Sequence, residues 1–473
     1  MNPPSAKLLT LTLLLAGAAV NAATTSPEQN WPQWRGPLAT GVAPAANPPT
    51  TWSETSNVKW KVAIPGNGSA TPIIWGNRVF VQTAIPTGKK TEATEKKDPP
   101  AAGAAPAQPA QPAAAPPDAG APPRRRPGGP GGMMPSEKPT EAYQFVLLCL
   151  DRDTGATVWQ KIAREEVPHE GVRQGDGSFA AASPMTDGNL VFAYFGSRGL
   201  YCYDLQGNLK WEKDLGRMQI KMGFGEGSSA ALSGSTVVVT CDHEGGSFIV
   251  AFDKESGREL WREKREEGTS WATPLVVEHD GKAQVVTDAT GKIRSYDLAS
   301  GKLLWECRGL TKNVIPSPVA ADGVVYCMSG FQGNALVAIH LGHSGDLTDS
   351  DAIVWKYGKS MPYVPSPLLY GDKLYCLANI RGMVSCFDAK SGKVLIDAER
   401  LEAVPNVYAS PVGAGGKIYI AGREGATVVL KQADTLEILA TNKLDDGFDA
   451  SPAVVGKELF LRGHEHLYCI AEK

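Results

Sequence analysis

The stretch FDKESGRELW, from Phe252 to Trp261, returns 44 residues later as YDLASGKLLW, from Tyr296 to Trp305. In each copy an apolar strand ends in Asp, a tight turn carries Gly, and the next strand carries Trp. The same Gly-to-Trp spacing joins Gly155 to Trp159 and Gly207 to Trp211, and Trp355 holds the equivalent place after a longer loop. Such a Trp suits the outer strand of a stacked sheet, where a large flat side chain can cover the face of its neighbour. A structural docking role is therefore expected for Trp60, Trp159, Trp211, Trp261, Trp305 and Trp355. Two units carry Ile396 and Ala440 at this place, which predicts looser outer packing there.

Working outward, a Ser or Thr followed by Pro precedes an apolar strand at Thr71, Ser183, Thr273, Ser317, Ser366, Ser410 and Ser451, and Ser229 keeps the strand without the proline. That makes eight units. From Ser183 onward they are separated by 46, 44, 44, 49, 44 and 41 residues, the length of a four-stranded propeller blade. The last unit lacks its outer strand, and the stretch from Asn57 to Val62, with Trp60, supplies one. The expected fold is all-β: an eight-bladed β-propeller of four-stranded blades, closed by an N-terminal strand joining the C-terminal blade. Closure of this kind removes open sheet edges.

These units resemble the pyrroloquinoline-quinone (PQQ) enzyme repeat with its tryptophan-docking motif, over nearly all of residues 57–473. The repeat is found in PQQ-dependent dehydrogenases and in the lipoprotein of the outer-membrane β-barrel assembly machinery. The opening Trp31-Pro32-Gln33-Trp34-Arg35-Gly36-Pro37 looks like that of exported bacterial PQQ-like repeat proteins. The dehydrogenases place a disulfide between adjacent cysteines over the quinone, whereas this chain has no Cys-Cys pair. Their calcium ligands and catalytic Asp have no matching motif here either.

Residues 1–22 read as a signal peptide: Lys7, an apolar run of 13 residues from Leu8 to Val20, and small residues ending at Ala22. The run is too short to span a bilayer as a helix. The first cysteine is Cys149, so no lipid acceptor follows the leader. An exported monomer, periplasmic or secreted and not a lipoprotein, is expected, with residues 23–56 as an N-terminal arm and 57–473 as the propeller. Within the first blade, residues 87–141 are rich in Ala, Pro and Gly and predict a disordered insertion. The formal charge of −3 supplies no basic field for nucleic acid.

No catalytic or metal-binding set emerges. The histidines at 340, 343, 464 and 466 have no further ligands at metal spacing, and the acidic loop at Asp346, Asp349 and Asp351 lacks the glycine and terminal Glu of a calcium hand. Cys149, Cys202, Cys386 and Cys469 share a third-strand place that Ala251, Ser295 and Ala338 fill elsewhere, which reads as a small buried side chain. Cys376 and Cys386, equidistant from Arg381, are the one pair placed to form a disulfide. The positions just before each Ser/Thr of the repeat point toward the channel mouth. They give Glu226, Trp271, Tyr363, Tyr408, Phe448 and Asp449 as a ligand-binding surface of aromatics and carboxylates.

The first functional reading is a non-catalytic binding or scaffolding module for a protein or cell-envelope polymer, with no cofactor. The resemblance supplies the alternative, an oxidoreductase using PQQ and calcium with Trp271 as a stacking platform. A polysaccharide-binding module is the third.

Overall fold

The computed structural model describes residues 26–90, 135–378 and 380–472. The expected signal peptide, 1–22, lies outside them, as do residues 91–134 of the expected insertion. Eight sheets follow one another along the chain and form a ring, an eight-bladed β-propeller with almost no helix. Blade 1 runs from Ile73–Trp75 to Thr157–Glu166, and blade 8 combines Ala453–Val455, Glu458–Arg462 and His466–Ile470 with the N-terminal strand Val58–Ala63. That strand pairs antiparallel with the last one, Lys61 opposite Tyr468. The ring is therefore closed by both ends of the chain.

There is no single central core. Apolar slabs lie between consecutive blades, as where Met185, Phe192 and Cys202 of blade 2 meet Val237, Val239 and Val250 of blade 3. Five tryptophans cross these seams near the rim. Trp60, Trp159, Trp211, Trp261 and Trp355 donate from Nε1 to the carbonyls of Arg152, Leu205, Lys254, Leu298 and Ala389 in the next blade, at 2.8 to 3.0 Å. Trp305 differs: it donates to Gln284 Oε1 at 3.0 Å within its own blade. The long loop of blade 5 explains this, because its strand Gly345–Asp346 lies parallel along Trp305 and Glu306 as a fifth strand of blade 4. Beside Ala440, where blade 7 has no tryptophan, the arm brings in Trp52, stacked on Tyr419 at 6.3 Å.

Nearer the axis, the Ser/Thr of the repeat does a job its sequence position did not disclose. The backbone N–H of each from Thr71 to Ser410 donates to the hydroxyl of the next: Thr71 to Ser183, then on to Ser229, Thr273, Ser317, Ser366, Ser410 and Ser451, at 2.8 to 2.9 Å. This chain of side-chain caps ties all eight blades. It stops at Thr71, whose Oγ1 is buried and has no partner among the described residues.

The arm follows the inner strands around the ring. Trp31 exchanges hydrogen bonds with Ile74 of blade 1, Pro32 O accepts from Thr186 of blade 2, Thr40 O from Leu369 of blade 6, and Asn47 N donates to Gly456 O of blade 8. Arg35, 3% exposed, donates to the carbonyls of Pro411 and Pro367 at 2.8 and 2.6 Å.

Two expectations are corrected. The edges of the 87–141 insertion are strand: Arg78–Lys90 and Glu141–Asp151 pair as far as Lys90 opposite Glu141. Glu165 on the adjacent strand prolongs this ladder by accepting from Lys89 and Gln144 at 2.6 and 2.7 Å. Cys376 and Cys386 do not face one another. Tyr375 lies opposite Cys386 and Cys376 opposite Ser385, so the hairpin is centred half a residue before Arg381 and the two thiols fall on opposite faces of the blade. Both are free and buried, Cys376 Sγ resting 3.8 Å from Met328 Sδ and Cys386 packing toward blade 7.

Candidate functional site

On the axis lies a cavity of about 220 Å³. Its wall includes the hydroxyl ring at Ser183, Ser229, Thr273, Ser410 and Ser451, and the arm contributes Trp34. Over it passes the linker between blades 1 and 2, from which Arg173, Asp176, Gly177 and Ser178 line the cavity. This linker is clipped to blade 7. Arg423 donates to Asp176 Oδ1 at 2.8 Å, to Gly175 O at 2.6 Å and to Asp449 Oδ1 at 2.6 Å, with its guanidinium 4.2 Å over the Tyr408 ring. His464 Nε2 lies 3.0 Å from the other oxygen of Asp449. That bond holds the His464 imidazole above its ordinary pKa, against the opposing effect of burial.

Of the six positions expected at the mouth, Glu226, Trp271, Tyr363, Tyr408 and Asp449 line the cavity. Phe448 does not. It is fully buried between blades and meets Tyr468 edge-on at 6.1 Å. Consecutive residues of an extended segment point to opposite sides, so Asp449 at the axis sends Phe448 into the seam. Glu226 also turns partly away, accepting from Ser197 N–H at 2.6 Å and pairing with Arg198 at 2.9 Å. Trp271 is fixed by its Nε1 bond to Gly225 O at 2.7 Å, and Tyr363 stacks on Phe331 at 4.9 Å.

Sequence reasoning missed Trp34, Arg173, Asp176, Phe224 and Arg423. The first four come from the arm and from inter-blade linkers, which obey no repeat, so spacing could not find them. Arg423 follows two residues after the strand Lys417–Ala421, in the turn that closes the hairpin of blade 7, a place that the repeat spacing could have pointed to.

Chemically the wall is aromatic and internally neutralised. Asp176 and Asp449 share Arg423, and Glu226 holds Arg198. Burial pushes the Tyr408 phenol up to about 12, with Asp176 adding to it, so it stays protonated at neutral pH. Among the described residues no three His, Cys, Asp or Glu converge as a metal site. A quinone with calcium needs free carboxylates at the axis, and the three present are engaged by arginine, so the residues here do not fit that group.

An eight-bladed ring with Trp-bearing outer strands and an aromatic axial cavity defines the class, a PQQ-like β-propeller. The chain belongs to the family described as outer membrane protein assembly factor BamB, whose model matches residues 143–306 and again 245–473. No curated protein matches it in sequence. Among solved structures, BamB from Moraxella catarrhalis is 16% identical over 72% of this chain and 91% of that one, with a TM-score of 0.49. The computationally designed Ika8 protein is 12% identical over 70% and 92%, with a TM-score of 0.50. Quinohemoprotein alcohol dehydrogenase from Comamonas testosteroni is 10% identical over 95% and 82%, at 0.60. At such identities the likeness is one of fold. No helix among the described residues is long and apolar enough to cross a membrane.

Proposed function

We propose that the protein is an exported, non-catalytic β-propeller of the cell envelope that docks a protein partner on the face carrying the 167–182 linker. One observation carries the reading: at the axial cavity each carboxylate is already paired with an arginine, which favours a rigid, patterned surface for recognition. The family description, an assembly factor for outer membrane proteins, supports a protein partner and an envelope location. Export and the absence of a lipid anchor rest on the leader read in residues 1–22.

The test has two arms, one on the purified mature protein and one in intact cells. Thermal unfolding with PQQ and calcium, beside calcium alone, is expected to show no shift. A ligand bound only by the folded state at about a hundred times its dissociation constant would add about 2.7 kcal/mol. In intact cells, a photo-crosslinker at Arg173 is expected to capture a discrete envelope protein that one at Lys302, on the outer rim, does not. A quinone-dependent shift with dye-linked alcohol oxidation would instead establish the oxidoreductase, and capture of polymer alone would replace the protein partner.

A further inference from the structure

The innermost strand of each blade pairs on one side only, and its free edge turns to the axis. The third residue after each Ser/Thr of the repeat presents its main chain at that edge, and in four blades the arm meets it. Ile74 of blade 1 exchanges hydrogen bonds with Trp31 at 2.9 and 3.0 Å, Thr186 of blade 2 donates to Pro32 O at 2.8 Å, and Leu369 of blade 6 donates to Thr40 O at 3.2 Å. Gly413 of blade 7 donates to Gly41 O and accepts from Ala43 N, both at 2.9 Å. Leu232, Val276 and Ala320 hold the same place in blades 3, 4 and 5. Leu232 and Ala320 stand one residue before the pair that closes the hairpin, as Ile74 does, and Val276 stands three before, which turns its main chain the same way. None of the three has a main-chain partner at the edge among the described residues. Between Pro32 and Thr40 the arm closes turns on itself instead, Gly36 N–H to Gln33 O and Ala39 N–H to Gly36 O. Exposure follows the pairing: Ile74, Thr186 and Leu369 are at most 4% exposed, whereas Leu232, Val276 and Ala320 are half-buried.

Blade 4 carries the longest inner strand, Leu275–His279, of five residues against two or three in the other blades. Glu278 therefore repeats the orientation of Val276 and makes an edge ladder of two residues. Beside this strand lies a groove of about 250 Å³, walled by Trp34, Pro37 and Leu38 of the arm and by Leu232, Leu275 and Pro318 of the blades. Unpaired N–H and C=O groups along a strand edge are a template for another chain. We propose that the groove receives an extended segment of a partner protein, which adds a strand to blade 4 through the main chain of Val276 and Glu278 and lays small aliphatic side chains against Trp34, Leu38 and Leu232. The molecule itself argues for this occupant, since a stretch of peptide already fills the equivalent edge in four other blades, and its interface runs into the groove at Trp34 and Ala39. The arm does not reach this edge as well, because Arg35 ties it to carbonyls of blades 6 and 7. Trp34 and Thr273 also border the axial cavity, but no carboxylate of that cavity walls the groove. The groove lies toward the turn ends of the inner strands, whereas the 167–182 linker leads into their beginnings. The inference therefore does not rest on the docking face proposed above.

The probe is the acetylated, amidated peptide Ala-Val-Ala-Val-Ala-Lys, beside a copy N-methylated at each residue, which keeps the side chains and loses the main-chain donors. Hydrogen exchange of the full mature protein is expected to slow around Val276 and Glu278 with the first peptide and not with the second, while the segment holding Leu369 stays unchanged. Val276→Pro removes an N–H at an edge where proline is tolerated. It is expected to remain folded and to weaken the peptide about tenfold, as one main-chain hydrogen bond is lost. The exchange measurement reads the unaltered protein, so the inference does not hang on the variant. No slowing at Val276 and Glu278, equal slowing by the N-methylated copy, or equal binding by a folded Val276→Pro would overturn it. A concentration-dependent dimer of the protein alone that protects the same amides would give the groove to a second copy and overturn the partner assignment as well.

Discussion

A methyl group on Gly257 of blade 3 would stand 2.7 Å from Cδ2 of Trp211 in blade 2. The same closeness recurs at Gly155 under Trp60, Gly207 under Trp159, Gly301 under Trp261 and Gly392 under Trp355. The glycine of the turn thus has two reasons to be there, its positive φ and the indole lying on it. Gly281 separates them, since it has φ +70° beside the +68° of Gly257 but open space where a Cβ would go. Both alanine variants carry the backbone penalty of about 1 kcal/mol. Gly257→Ala is expected to cost a further 1 to 3 kcal/mol or so from overpacking, read as a larger drop in denaturation midpoint. Equal costs would mean that the indole contact contributes nothing to the seam.

The hydroxyl chain around the axis gives a second contrast. Ser410→Ala leaves the buried N–H of Ser366, now 2.9 Å from Ser410 Oγ, without an acceptor. That is expected to cost about 1 to 3 kcal/mol. Thr71→Val removes a hydroxyl that has no partner among the described residues and keeps the side-chain shape, so it is expected to be neutral or slightly stabilising. Chemical denaturation of the two variants decides it, and a costly Thr71→Val would show that the chain closes through that hydroxyl.

These two features show how much of the fold was legible. The glycine, the tryptophan and the Ser/Thr are all visible at fixed spacing because each blade must solve the same packing problem with its neighbour. Spacing located them, but what the hydroxyl bonds to is in another unit and could not be read locally. Residues outside the repeat were illegible for the same reason. Trp34 and Asp176 reach the axis on connecting segments, and only the closed ring puts them beside Tyr408 and Asp449. Phe448 and the pair Cys376 and Cys386 were misplaced by one step of strand register, which is enough to reverse a side chain.

The cysteines are expected to behave as eight separate thiols. All eight are buried and unpaired. Burial pushes the thiols of Cys149, Cys202, Cys241 and Cys386 up to about 12 and that of Cys376 above the ordinary range as well, so each is held as the unreactive thiol. A thiol reagent at mildly alkaline pH should therefore find almost none in the native protein and all eight after denaturation without reductant. Two fewer after denaturation would reveal a bridge.

Asp288 gives the protein a pH dependence with a definite sign. It follows directly on the second strand of blade 4, Lys282–Thr287, only 2% exposed, and neither carboxyl oxygen closes a hydrogen bond of good geometry among the described residues. Burial pushes its pKa up to about 7, against smaller pulls from Cys327 and Met328 of blade 5. The unfolded chain releases this proton near the ordinary carboxylate value while the folded chain retains it. Stability from this group is thus complete at low pH and is lost as pH rises from about 4 to 7, with a limiting slope of about 1.4 kcal/mol per pH unit. Above that range the folded protein carries a buried, unanswered carboxylate. Asp288→Asn keeps the shape without the charge, so it is expected to match the parent near pH 4.5 and exceed it in stability at pH 8. Denaturant titrations across that interval measure the difference. Two parallel pH curves would mean that Asp288 is solvated or paired in the folded state and does not titrate there.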